Sequence, residues 1–127
     1  MGAVGTYFAA QLTAAGRQVV ACARRPFERY VVESQTAPVD ARATCLTDPA
    51  DLAGVAFGGP VDVVKVADKG FQTLGTAGWL DALWGPDTLV IGAQNGIDAV
   101  ERLSPIVNGA RVVQAVVYCG CELLEPG

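Results

Sequence analysis

The chain has 127 residues, 51% hydrophobic and 17% charged, which is material for one globular domain and not for a two-domain enzyme. Nine Lys and Arg against thirteen Asp and Glu give a net charge of −4 with no histidine, so there is no basic field for nucleic acid or anionic lipid. The same absence excludes histidine triads and removes the commonest metal ligand. No apolar stretch approaches the roughly 20 residues that span a bilayer, and no basic-then-apolar leader opens the chain, so a cytoplasmic protein without membrane contact is expected.

Met1-Gly2-Ala3-Val4-Gly5 leads into a helix over Thr6–Ala15, with Val4, Phe8, Leu12 and Ala15 at helical spacing as its apolar face. Gly16 follows as a left-handed cap, and Gln18–Ala23 is a β-rich run broken by Arg24-Arg25-Pro26. The pattern then weakens. Tyr30–Val32 and Ala43–Leu46 are expected to be short strands, and Asp48-Pro49 an N-cap followed by proline at the first helical position. A strand over Val61–Ala67 carries a charge at Lys65, and a helix is expected from Phe71 to Trp84, weakened by Gly75 and Gly78. Thr88–Ile91 is a short apolar strand, Gln94-Asn95-Gly96 a turn, Asp98–Leu103 a helix and Arg111–Tyr118 a last strand. Continuously apolar strands between helical patterns imply a parallel sheet covered on both faces, an α/β architecture.

Cys22, Cys45, Cys119 and Cys121 are expected to be reduced thiols. Cys119-Gly120-Cys121 offers two soft ligands, but nothing supplies the rest of a structural zinc set, and no metal site is expected.

In such a sheet, ligands bind beyond the carboxyl ends of the strands. Gly2-Ala3-Val4-Gly5 matches the latter part of a G-x-G-x-x-G fingerprint, whose amides and helix dipole receive a pyrophosphate; the glycines would also serve a plain turn. Arg24 ends the next strand, where NAD-binding domains place an acidic residue on the ribose hydroxyl. A guanidinium there suits a 2′-phosphate and favours NADP over NAD, and Arg25 could share the task; a solvated arginine pair is the plainer alternative. Lys69 and Asn95 follow two successive strands and point toward one crevice. Lys69 can donate to ribose or a carboxylate, and Asn95 can orient ribose hydroxyls or a carboxamide, although a surface lysine and an Asn-Gly turn are also ordinary features.

Together with Lys69-Gly70-Phe71-Gln72, Gln94-Asn95-Gly96-Ile97 and Arg111-Val112-Val113, these motifs resemble the N-terminal domain of ketopantoate reductase, nearly end to end. The resemblance implies a Rossmann-like, doubly wound, mostly parallel sheet over residues 1–127. It implies NADPH as cofactor and reduction of ketopantoate, a 2-oxo acid, to pantoate in pantothenate biosynthesis. Position by position it implies pyrophosphate at Gly2, Ala3, Val4 and Gly5, the 2′-phosphate at Arg24, and cofactor contacts from Lys69, Gln72 and Asn95. Asn95 would also lie near the substrate, and the backbone around Gly120 would approach the cofactor.

The family opens with a strand and a glycine ahead of the Gly2 position, so a sheet lacking its first strand is expected, at a cost on the order of 10 kcal/mol of burial. The family's helical domain, with its catalytic lysine and substrate ligands, lies beyond Pro126-Gly127; Lys69 does not match that lysine. Strands of the family are usually apolar where Lys65 stands. No catalytic residue is therefore expected within these residues, and the substrate would need the further domain. The contrasting reading is a non-catalytic remnant or interaction module. Neither reading fixes an oligomeric state.

Overall fold

In a computed structural model, the described residues are 1–55, 60–70, 75–108 and 111–125. They divide into two compact units, Met1–Asp48 with Cys119–Gly127, and Pro49–Tyr118.

In the first unit, helix α1 (Ala3–Ala14) ends where Gly16 turns left-handed at φ 76°, and the Arg17 amide returns to the Leu12 carbonyl at 3.0 Å. Strand β1 (Val20–Cys22) follows, then β2 (Arg29–Val32), β3 (Val39–Arg42) and β4 (Thr44–Leu46). β1 and β4 pair in parallel, with Ala21 opposite Cys45. β2 and β3 form an antiparallel pair, Tyr30 opposite Ala41, which the sequence patterns did not indicate. The expected helix face is corrected. α1 buries Gly5, Thr6, Ala9 and Ala10, while Leu12 is 45% exposed and Ala15 is exposed. The small residues let the helix backbone approach β2 and β3, and close approach gives more contact than one large side chain held at a distance. Ala9, Ala10, Ala21 and Tyr30 form the core, with the Phe27 ring set edge-on to Tyr30 at 5.5 Å. Gln11 ties the helix to the loop between β2 and β3 by donating to the Ala37 carbonyl at 2.9 Å.

The second unit begins with a 3-10 helix, Pro49–Gly54, packed on α2 (Ala77–Leu83). β5 (Val63–Val66), β6 (Leu89–Gly92) and β7 (Arg111–Gln114) form a parallel sheet in that order, with α3 (Ala99–Leu103) between β6 and β7. Thr88 clasps the entry to β6: its hydroxyl donates to the Val61 carbonyl at 2.6 Å and accepts from the Gly85 amide at 2.9 Å. Gly92 is required by packing, since a Cβ there would lie 2.7 Å from the Ala99 Cβ. Leu80, Val90, Leu103 and Val107 are fully buried.

Two expected boundaries change. The helix expected from Phe71 is α2 from Ala77, and 71–74 lie outside the described residues. The strand expected to reach Tyr118 stops at Gln114, because its partner β6 ends opposite it at Gly92 and the Ala115 amide makes the last bond, to the Gly92 carbonyl at 2.9 Å. The architecture is α/β and Rossmann-like, with three parallel strand pairings and one antiparallel pair as the exception. Among the described residues no strand precedes α1.

Candidate functional site

The first unit assembles the fingerprint and the arginine pair. Gly2 is the extended N-cap of α1 (φ −110°, ψ −179°), and its carbonyl accepts the Thr6 amide at 2.9 Å. The amides of Ala3, Val4 and Gly5 are thus the open donors of a 12-residue helix whose first turn holds no acidic residue. Beyond β1 the chain bends at Arg24 and Arg25, both exposed. Met1, Thr6, Ala23, Arg24, Arg25, Phe27 and Leu123 line one cavity of about 490 Å³. The residues flanking the fingerprint and the two guanidinium groups therefore share a single wall. Neither arginine side chain makes an ion pair among the described residues.

Free cations, a helix N-terminus and apolar surface from Phe27, Met1 and Leu123 are the groups a phosphate-bearing aromatic ligand requires. These residues fit the phosphorylated adenosine end of a dinucleotide. Gly120 belongs to the same unit and is exposed; a Cβ on it would meet nothing within 4 Å, and Leu123, not Gly120, reaches the cavity wall. On either side of it the thiols of Cys121 and Cys119 stand 3.6 Å apart, and all four cysteines are free.

In the second unit Lys69 and Asn95 are both exposed, and each follows a residue turned inward. The Gln94 side-chain amide donates to Asp68 Oδ1, and its carbonyl oxygen accepts from Arg102 Nη2 at 3.2 Å. Arg102 Nη1 also pairs with Asp98 Oδ1. Gln114 joins from β7, accepting the Ala99 amide at 3.1 Å and donating to the Gln94 carbonyl at 3.3 Å. Burial raises the Asp68 carboxyl above its usual range, opposed by the Gln94 hydrogen bond and the Arg102 charge. Lys69 and Asn95 are thereby brought onto neighbouring loops of one unit. Gln72 lies outside the described residues.

Sequence patterns missed Thr6, Phe27 and Leu123 in the cavity wall, and the set Asp68, Gln94, Arg102 and Gln114. Asp68 and Gln94 each directly precede a singled-out residue, a signal that could have drawn attention to them. Among the described residues no group of three or more metal-ligating side chains exists, and no helix is long and apolar enough to cross a membrane.

Comparison with known proteins gives one consistent answer. The family model described as ketopantoate reductase PanE/ApbA matches residues 1–127. The 2-dehydropantoate 2-reductase of Caulobacter vibrioides is 39% identical over 127 residues, covering 99% of this chain and 42% of that protein. The enzyme of the same name from Mycobacterium tuberculosis is 34% identical, covering 99% and 41%. Among solved structures, a PanE/ApbA family ketopantoate reductase from Ralstonia eutropha superposes with a TM-score of 0.82 at 27% identity, covering 98% of this chain and 42% of that one. A 2-dehydropantoate 2-reductase from Geobacter metallireducens shares the fold at a TM-score of 0.84 and 24% identity, over 100% and 42%. The chain spans about two fifths of the length of these relatives.

Proposed function

Because the chain belongs to the ketopantoate reductase PanE/ApbA family, we propose that it supplies the NADP-binding half of a cytoplasmic reductase of pantothenate biosynthesis, acting on ketopantoate or a close 2-oxo acid. The observation that carries this reading is the cavity shared by Arg24, Arg25 and the residues flanking the glycine fingerprint. The amides of Ala3, Val4 and Gly5 receive the pyrophosphate, and Arg24 receives the 2′-phosphate with Arg25 beside it. Lys69, Gln72 and Asn95 hold ribose hydroxyls and the carboxamide, Asn95 also faces the substrate, and the Gly120 backbone lies along the cofactor. Bound NADPH supplies a hydride. The residues of this chain bind and orient; the acid that protonates the developing alkoxide is on none of them.

Titration of the chain with NADPH and NADH, read by thermal shift and cofactor fluorescence, tests this reading. The expected result is stabilisation by NADPH over NADH, with the preference lost in Arg24→Ala. Equal affinity for the two cofactors overturns the assignment of Arg24. No response to either favours a non-catalytic module that keeps the architecture.

A further inference from the structure

We infer that Asp68, Gln94 and Arg102 form a positioning clamp that fixes the spacing of Lys69 and Asn95, and through it the grip on the ribose-nicotinamide part of a dinucleotide. The inference rests on the function proposed above and assigns to it three residues that make no cofactor contact of their own.

β5 and β6 run parallel in register, Val66 opposite Gly92, so the segments leaving their carboxyl ends emerge side by side. On each segment one polar residue turns inward and its successor faces out: Asp68 before Lys69, Gln94 before Asn95. The inward pair is joined directly through the Gln94 amide. Because Gln94 donates to Asp68 with its nitrogen and accepts from Arg102 with its oxygen, its amide has a single orientation that satisfies both neighbours.

Arg102 is the fixed end of the clamp. It precedes the fully buried Leu103 on α3, and its second guanidinium nitrogen is held by Asp98. The guanidinium also lies against the Lys69–Gly70 segment, where a Cβ on Gly70 would stand 3.1 Å from Nη2 and 3.3 Å from Cζ. Gln114 closes the set from β7 by holding the Gln94 carbonyl and the first amide of α3. The segments after β5 and β6, the start of α3 and the end of β7 are thus tied at one place.

Asp68 Oδ2 and Arg102 Nε are buried without a hydrogen-bond partner among the described residues. Apolar side chains of similar volume would hold the same segments with no unsatisfied group. A polar set gives up some stability and in exchange fixes direction, since hydrogen bonds are directional and apolar contacts are not.

The test compares two ligands on the same chain: NADPH, and adenosine 2′,5′-bisphosphate, which lacks the ribose-nicotinamide part. Asp68→Ala is expected to weaken NADPH about tenfold or more, the scale of a small misplacement of contacting groups, and to leave the bisphosphate unchanged. Asp68→Asn, which keeps an acceptor for the Gln94 amide, is expected to recover most of the loss. Should Asp68→Ala show no cooperative melt, Arg102→Lys answers in its place, keeping the charge but losing the fork that spans Gln94 and Gly70. Equal weakening of both ligands, or of neither, overturns the clamp. A wild-type chain that binds the bisphosphate as tightly as NADPH also overturns it while sparing the Arg24 site. A wild-type chain that binds neither ligand overturns the proposed function and the clamp together.

Discussion

Arg24 and Arg102 place the same side chain in opposite circumstances. Arg24 and its neighbour Arg25 are exposed on a cavity wall with no ion pair among the described residues. Arg102 is bonded to Asp98 and Gln94 and packed over Gly70. A guanidinium with its donors unspent is available to a ligand, whereas one whose two terminal nitrogens are bonded within the protein holds the protein to itself. Recognition and positioning can therefore be told apart by what each arginine has left to offer.

The contrast fails if the polar set, and not the apolar layer below it, is what holds the second unit together. Leu103 is fully buried against Gly92, so Leu103→Ala is expected to cost about 2–5 kcal/mol in denaturant unfolding, well above the effect of Asp68→Asn. A larger loss from Asp68→Asn would make the cluster structural. On the recognition side, Arg24→Ala is expected to weaken adenosine 2′,5′-bisphosphate by about 1.5–3 kcal/mol, tenfold or more, and Arg25→Ala by less. Isothermal titration decides it, and Arg102→Lys should leave that ligand's affinity within about twofold.

The first unit also carries two acids that titrate at high pH, the half-buried Cys22 thiol and the fully buried Tyr30 phenol. Burial pushes the Cys22 thiol from 9.0 up to about 12, and the Tyr30 hydroxyl from 10.0 to about 12. Between those limits the unfolded chain releases protons that the folded chain retains. Stability is therefore complete below about pH 9 and falls as pH rises toward 12, by up to about 1.4 kcal/mol per pH unit for each group. Denaturant midpoints measured from pH 8 to 11 should show this slope, and a flat profile would mean that neither group is shielded. The smallest expected effect is a gain. The Tyr30 hydroxyl is buried with no partner among the described residues, so Tyr30→Phe should stabilise by about 1 kcal/mol and reduce the alkaline slope. A loss on that substitution would reveal a partner for the hydroxyl.

Val63–Val66 and Leu89–Gly92 were legible as strands because each is a short, β-branched-rich stretch between turn residues, although burial alternates along both, with Val64, Val66, Val90 and Gly92 turned inward. The placement of Gly2–Gly5 at the start of α1 and of Arg24 just beyond β1 was legible because both follow from patterns close in sequence. The β2–β3 pair was not, since Val39-Asp40-Ala41-Arg42 spans only four residues and alternates between half-buried and exposed positions, too short a stretch to set a period. The clamp was invisible for another reason. Asp68, Gln94, Arg102 and Gln114 are ordinary polar residues one at a time, and only the register of β5, β6 and β7 brings them within bonding distance.

Helix α1 shows how such local signals can also mislead about tolerance to change. Its most hydrophobic residues stand partly in solvent, while Ala10 has no exposure at all against the strands beneath it. In this chain Leu12 is expected to accept almost any helix former, polar ones included, whereas one added methylene at Ala10 would wedge the helix away from β2 and β3. Along this helix, tolerance to substitution is expected to follow volume more than polarity, and the least conspicuous side chains are the hardest to replace.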